Sequence, residues 1–109
     1  MTLSKSDDFI ADVERQFDSY LQEAGWEVAE AYLNAVEATC RLLEKHPQIG
    51  PLSRFTHPRL RHWRFFVLLR PFNKHLVFYE TVGENVIMRR AMHGRRKLPR
   101  RLLEPPSSR

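Results

Sequence analysis

Cysteine occurs once in the 109 residues, at Cys40, so no disulfide can form within the chain. A disulfide scaffold is thereby excluded, and the thiol is expected to be a small buried apolar group suited to a reducing compartment. Long apolar runs are also lacking. The longest, Phe65 to Leu69, stops at Arg70 and Pro71, well short of a bilayer-spanning helix. The opening residues, Met1 to Asp8, carry no apolar middle region of a secretory signal, and a cytoplasmic protein without membrane association is expected. Metal-ligand spacing is missing too: His46, His57, His62, His75 and His93 are scattered and one cysteine cannot anchor a zinc cluster, so no metal or other cofactor is expected. The most informative scarcity is acid in the second half. Residues 54–109 hold Glu80, Glu84 and Glu104 against fourteen Lys and Arg, whereas residues 1–53 hold ten carboxylates against Lys5, Arg15, Arg41 and Lys45. The net charge of +5 therefore hides a dipole. Its basic half is expected to meet something acidic, a nucleic acid or an acidic protein segment.

What is present is periodic. From a cap at Ser6 or Asp7, apolar residues fall at Phe9, Val13, Phe17, Tyr20 and Leu21, with Ile10 beside them, which predicts an amphipathic helix ending at Gly25. Trp26, Ala29, Leu33, Val36, Cys40 and Leu43 predict a second helix, closed by His46-Pro47-Gln48-Ile49-Gly50-Pro51. A break at Gly25 makes the two an antiparallel hairpin, with Leu33 and Val36 in its seam. Leu60 to Leu69, Lys74 to Glu80 and Val86 to His93 then read as an antiparallel meander of three strands. Alternation puts Val86, Met88, Arg90 and Met92 on one face of the last strand, and Ile87, Arg89, Ala91 and His93 on the other. Cations recurring in each strand imply one sheet face that is open and basic, since unpaired charge under a helix layer is costly to desolvate. Too little chain precedes the first helix to assert a strand at residues 1–5. Trp26 and Trp63 are expected to pack in the core or the hairpin. Residues 1–103 read as one domain and 104–109 as a disordered tail.

Several segments, in this order and spacing, resemble the ParE and RelE superfamily of bacterial toxins from type II toxin-antitoxin pairs, some known as plasmid stabilisation proteins. They are Ala11-Asp12-Val13, Ala29-Glu30-Ala31-Tyr32, His46-Pro47-Gln48-Ile49-Gly50, Leu60-Arg61, Leu76-Val77-Phe78-Tyr79 and Met92-His93-Gly94-Arg95-Arg96. The resemblance implies an α+β fold in which an N-terminal two-helix antiparallel hairpin packs on one face of a small, mainly antiparallel sheet of three to four strands. It also implies a cognate, co-encoded antitoxin whose C-terminal segment wraps over the sheet, and a toxin-antitoxin hetero-oligomer. Superfamily members of the ParE type inhibit DNA gyrase, and those of the RelE type cut messenger RNA on the ribosome. His75 stands where RelE-like proteins carry an arginine, and no tyrosine follows Tyr79; the ending His93-Gly94-Arg95-Arg96 is closer to the ParE branch, although Lys97 replaces its usual acidic residue.

Two readings of the polar residues stand side by side. In a gyrase inhibitor, Arg61, Arg64, Arg89, Arg90, Arg95 and Arg96 are antitoxin- or target-binding residues, and no group is catalytic. In a ribosome-dependent endoribonuclease, His75, His93 and Arg96 are the candidates for acid-base work and for holding the phosphate as charge builds on it. A third reading is an interaction module of the same fold that has lost toxicity.

Overall fold

The computed structural model describes residues 2–106. Thr2–Lys5 form β1, Asp7–Ala24 α1, Trp26–Lys45 α2, Arg64–Val67 β2, His75–Val82 β3, Asn85–His93 β4 and Arg100–Leu103 α3. The sheet runs β1-β4-β3-β2, with β1 parallel to β4 and the other neighbours antiparallel. This is the expected α+β arrangement, a helical hairpin against a four-stranded sheet that is antiparallel except at one edge.

Local chemistry accounts for the helix ends. Ser6 leaves β1 by donating its backbone N–H to Met88 O at 2.9 Å, then caps α1 by accepting from the N–H of Phe9 at 3.0 Å. Asp7 and Asp8 in the first turn complement the positive end of the helix dipole. Gly25, at φ 96°, ends α1 by donating to Tyr20 O at 3.0 Å, and α2 starts at the next residue. Only a residue without a side chain adopts that angle cheaply.

Several expectations are corrected. The strand that residues 1–5 could not establish does form over Thr2–Lys5: its order comes from pairing Leu3 with Val86 and Lys5 with Met88, information held in β4. The strand expected over Leu60 to Leu69 shrinks to Arg64–Val67. Residues 57–63 turn instead, through Leu60 N–H to His57 O and Trp63 N–H to Leu60 O, and this turn carries Leu60 and Trp63 onto the sheet. In α2 the buried stripe is Ala29, Tyr32, Val36, Cys40 and Leu43, so Tyr32 takes the seam position expected of Leu33, which is only partly buried. Trp26 is 58% exposed, its ring edge-on to Phe17 at 5.8 Å, whereas Trp63 is buried.

The expectation of an open basic sheet face fails outright. Phe9, Tyr32, Val36, Leu43, Val77, Tyr79, Val86 and Met88 pack between helices and sheet, while Leu60, Trp63, Leu76, Phe78, Met92 and Leu102 pack on the opposite side. Residues 75–79 of β3 are therefore all buried, the pattern of a strand covered on both faces. The second cover consists of the 55–63 loop and the segment around α3. A bulge breaks the alternation in β4: Phe78 pairs with Arg90 but Tyr79 with Met88, leaving Arg89 as the extra residue. Val86 and Met88 consequently face the helices, Met92 faces away, and Ala91 rather than Met92 continues the helix-side core.

Candidate functional site

At the end of β4 the chain turns through Gly94, at φ 84°, and Lys97, at φ 64°. Two backbone bonds and one side chain hold the turn. Gly94 N–H donates to Lys74 O at 2.8 Å and Arg101 N–H to Lys97 O at 3.0 Å. The Arg101 guanidinium reaches back and donates to Arg96 O at 3.0 Å and His93 O at 3.2 Å. Arg95, Arg96 and Lys97 are left exposed beside exposed Lys74, around a concavity of about 640 Å³ that Arg101 also lines and no carboxylate borders. The Arg95 guanidinium stands 6.0 Å above the Phe65 ring, within cation–π reach.

A second concavity of about 540 Å³ adjoins it, sharing His93 and Arg101. His75 and His93 are register partners across β3 and β4, and their rings stack at 4.4 Å with 28° between planes. His75 is 4% exposed; its Nε2 lies 2.7 Å from the Tyr20 hydroxyl, and the rings of Tyr20, Tyr32 and Phe72 surround it. Burial, helped by His93 nearby, pushes its pKa down to about 4, so the imidazole is neutral at physiological pH. Burial also raises the Tyr20 phenol, which stays protonated.

The structure scatters the arginines singled out above. Arg95 and Arg96 belong to the exposed rim, and Arg61 is exposed in the turn before β2. Arg64 is half-buried and donates to Gly50 O at 2.7 Å. Arg89, the bulge residue, pairs with Glu80 at 2.7 Å. Arg90 is corrected from a partner-facing residue to a structural one: it is 3% exposed, pairs with Asp12, and donates to the carbonyls of Arg101, Leu102 and Glu104. Of the endonuclease candidates, His75 and His93 touch, but His75 sits under an aromatic cluster with one ring nitrogen engaged. The tail expected over 104–109 begins with a residue that is held, Glu104, and its last three residues lie outside the described ones.

Lys74 and Arg101 were not singled out from sequence, and Lys97 only as a departure from the ParE-like ending. Their grouping depends on the pairing of residue 75 with 93, which brings Lys74 beside Gly94 and which no local pattern announces. Among the described residues no group of His, Cys, Asp and Glu has the arrangement of a metal site, and no helix is long and apolar enough to cross a membrane.

A family model described as the ParE toxin of the type II toxin-antitoxin system parDE matches residues 3–98. The chain belongs to the ParE toxin family. A solved structure described as the chromosomal ParDE TA system from P. aeruginosa is similar over 87% of this chain and 97% of that one, with a TM-score of 0.71 and 18% sequence identity. At that identity the likeness speaks for the fold, and the family match for membership of the ParE rather than the RelE branch. No curated protein matches this ParE-family chain in sequence.

Proposed function

We propose that this ParE-family toxin acts in the cytoplasm by inhibiting DNA gyrase and is neutralised by a co-encoded antitoxin. The observation that carries the choice of target is the state of His75. Where RelE-like proteins carry an arginine, the first residue of β3 is His75, a neutral imidazole packed under Tyr20, Tyr32 and Phe72 rather than an exposed cation. The exposed cations stand on the rim, where they can bind, and the imidazole pair beside them, His93 stacked on His75, has its buried member engaged by the Tyr20 hydroxyl. Inhibition by binding fits this arrangement better than catalysis.

The antitoxin's place is supported by the helical hairpin rather than the sheet, whose two faces are both covered. Phe9, Ile10, Val13, Leu33 and Val36 line a groove between α1 and α2 of about 260 Å³, edged by Lys5, Glu14 and Glu37. Ile10 is 41% exposed, and the Lys5–Glu37 ion pair at 2.6 Å spans one side. An amphipathic helix laid in this groove would bury that apolar strip and meet both charge signs at its edge.

The test is a supercoiling reaction with purified gyrase and the purified chain, followed by addition of the product of the adjacent reading frame. Loss of supercoiling, restored by that product, is expected. Unimpaired supercoiling together with cleavage of ribosome-bound messenger would overturn the reading in favour of an endoribonuclease, for which the His75–His93 stack beside Arg96 is the one favouring feature.

A further inference from the structure

The rim after β4 has more order than a solvated run of charge requires. Arg101 directs two guanidinium nitrogens at the carbonyls of His93 and Arg96, so the backbone that carries Arg95, Arg96 and Lys97 is pinned at both ends. Lys74 is tied to the same turn through Gly94. Among the described residues, Lys74, Arg96 and Lys97 make no ion pair, while nearby Arg100 is neutralised by Glu104 at 3.3 Å. A fixed set of uncompensated cations raises the folded state's self-repulsion, which a bound polyanion relieves.

We propose that this rim is a binding site for the phosphodiester backbone of duplex DNA. Two observations choose the occupant. The concavity's lining contains no Val, Leu, Ile, Met, Phe, Tyr or Trp and no Asp or Glu, so what it offers a partner is cationic heads on the stems of long Lys and Arg side chains. The rim offers no series of aromatic platforms for unstacked bases either: the Arg95 guanidinium lies over Phe65, and His93, the one ring that lines the concavity, has one face stacked on His75. What remains is a cluster of Lys and Arg without a series of aromatic platforms, the chemistry of contact with a duplex backbone. The site goes beyond the gyrase reading and stands without it, although DNA held beside a gyrase target would give the toxin a second foothold.

The test is fluorescence anisotropy of a labelled mixed-sequence duplex of about 20 base pairs, titrated with the full chain from about 50 to 200 mM salt. Binding that weakens linearly on a log–log salt plot is expected. Arg96→Gln and Lys97→Gln should each weaken it several-fold and make the slope shallower by about 0.9, one phosphate contact apiece. Arg89→Gln, which removes an equal charge already paired with Glu80, should leave the slope unchanged. Circular dichroism checks that each variant is folded, Arg96 and Lys97 being exposed and Arg89 half-buried. Absence of binding at the lowest salt overturns the proposal, as does an Arg89 variant that loses as much as the Arg96 one. Displacement of the duplex by poly-glutamate at equal charge concentration would reassign the rim to an acidic protein. Gyrase is absent from the assay, so a chain that inhibits supercoiling but fails here sinks this inference alone, and the converse result sinks only the gyrase reading.

Discussion

Asp12 of α1 and Arg90 of β4 form an ion pair at 2.7 Å with their side chains at most 4% exposed. A second bond, Arg90 Nη2 to Asp12 Oδ1 at 3.1 Å, makes it bidentate. β1 pairs with β4 only as far as Met88, so the N–H of Ala91 has no strand partner at that edge; it donates instead to Asp12 Oδ2 at 3.0 Å. Arg90 in turn bonds three carbonyls of the C-terminal segment. Two residues thus join the helix layer, the sheet edge and the cover of the opposite face.

Removing one partner leaves the other's charge buried. Arg90→Ala is expected to destabilise the fold by roughly 3–5 kcal/mol and to loosen the segment around α3. Urea titration followed by tryptophan fluorescence, with Trp63 beneath that cover, checks both. Asp12→Leu combined with Arg90→Met should recover much of the loss; a double variant as unstable as the single one would show that the bonds to Ala91 and the C-terminal carbonyls matter more than the pair itself.

Stability should fall as the medium is acidified through the range set by His75. Its folded pKa is about 4 against an ordinary value of 6.5, so between these values the unfolded chain binds the proton first. The contribution of the neutral, buried ring is complete above about pH 6.5 and is lost toward pH 4, up to about 3 kcal/mol in all. Thermal melts at about pH 7 and about pH 5 should differ more for the wild-type chain than for His75→Gln, which has no group to titrate there. Equal differences would remove His75 as the cause.

Gly50 has no room for a methyl group. A Cβ there would lie 2.4 Å from Phe65 O and 2.7 Å from the Tyr79 hydroxyl. Tyr79 accepts from Gly50 N–H at 3.0 Å and donates to Pro47 O at 2.7 Å, clamping the His46-to-Pro51 loop to β3. Gly50→Ala and Tyr79→Phe should each destabilise by about 1–3 kcal/mol, the first by overpacking and the second by orphaning buried groups. Because both damage one clamp, the double variant should lose less than the sum, which a denaturation cycle measures.

The hairpin groove gives a prediction about partnership rather than stability. Ile10→Asp places a charge on its open side and should weaken antitoxin binding at least about tenfold, or about 1.4 kcal/mol, with little effect on melting. Val36→Asp, at a position 3% exposed, should unfold the chain instead. Calorimetric titration of the folded Ile10 variant with antitoxin decides; unchanged affinity would move the antitoxin off this groove.

Much was legible in the sequence because it is written in local chemistry. The spacing from Phe9 to Leu21 and from Ala29 to Leu43, the Ser6 cap, the Gly25 break and the proline after His46 each act within a few residues, so helix boundaries followed from them. The apolar runs of β3 and β4 were equally plain. The acidic-to-basic split of the chain likewise required only counting.

Tertiary structure decided what depends on residues distant in the chain. Thr2 to Lys5 has little strand character alone and becomes β1 only because β4 offers a partner. The bulge at Arg89 inverted the faces of the residues after it, and no local rule announces an extra residue in a ladder. Both sheet faces proved to be covered because Leu60, Trp63 and Leu102 return from loops whose sequence has no period. For the same reason arginines that look alike in sequence met different fates: Arg90 found Asp12 across 78 positions and became part of the core, while Arg95 and Arg96, beyond the last strand, stayed exposed, Arg95 with its guanidinium over Phe65. Sequence sets the charge and the periodicity, but long-range pairing determines which charges are neutralised inside and which remain available to a partner.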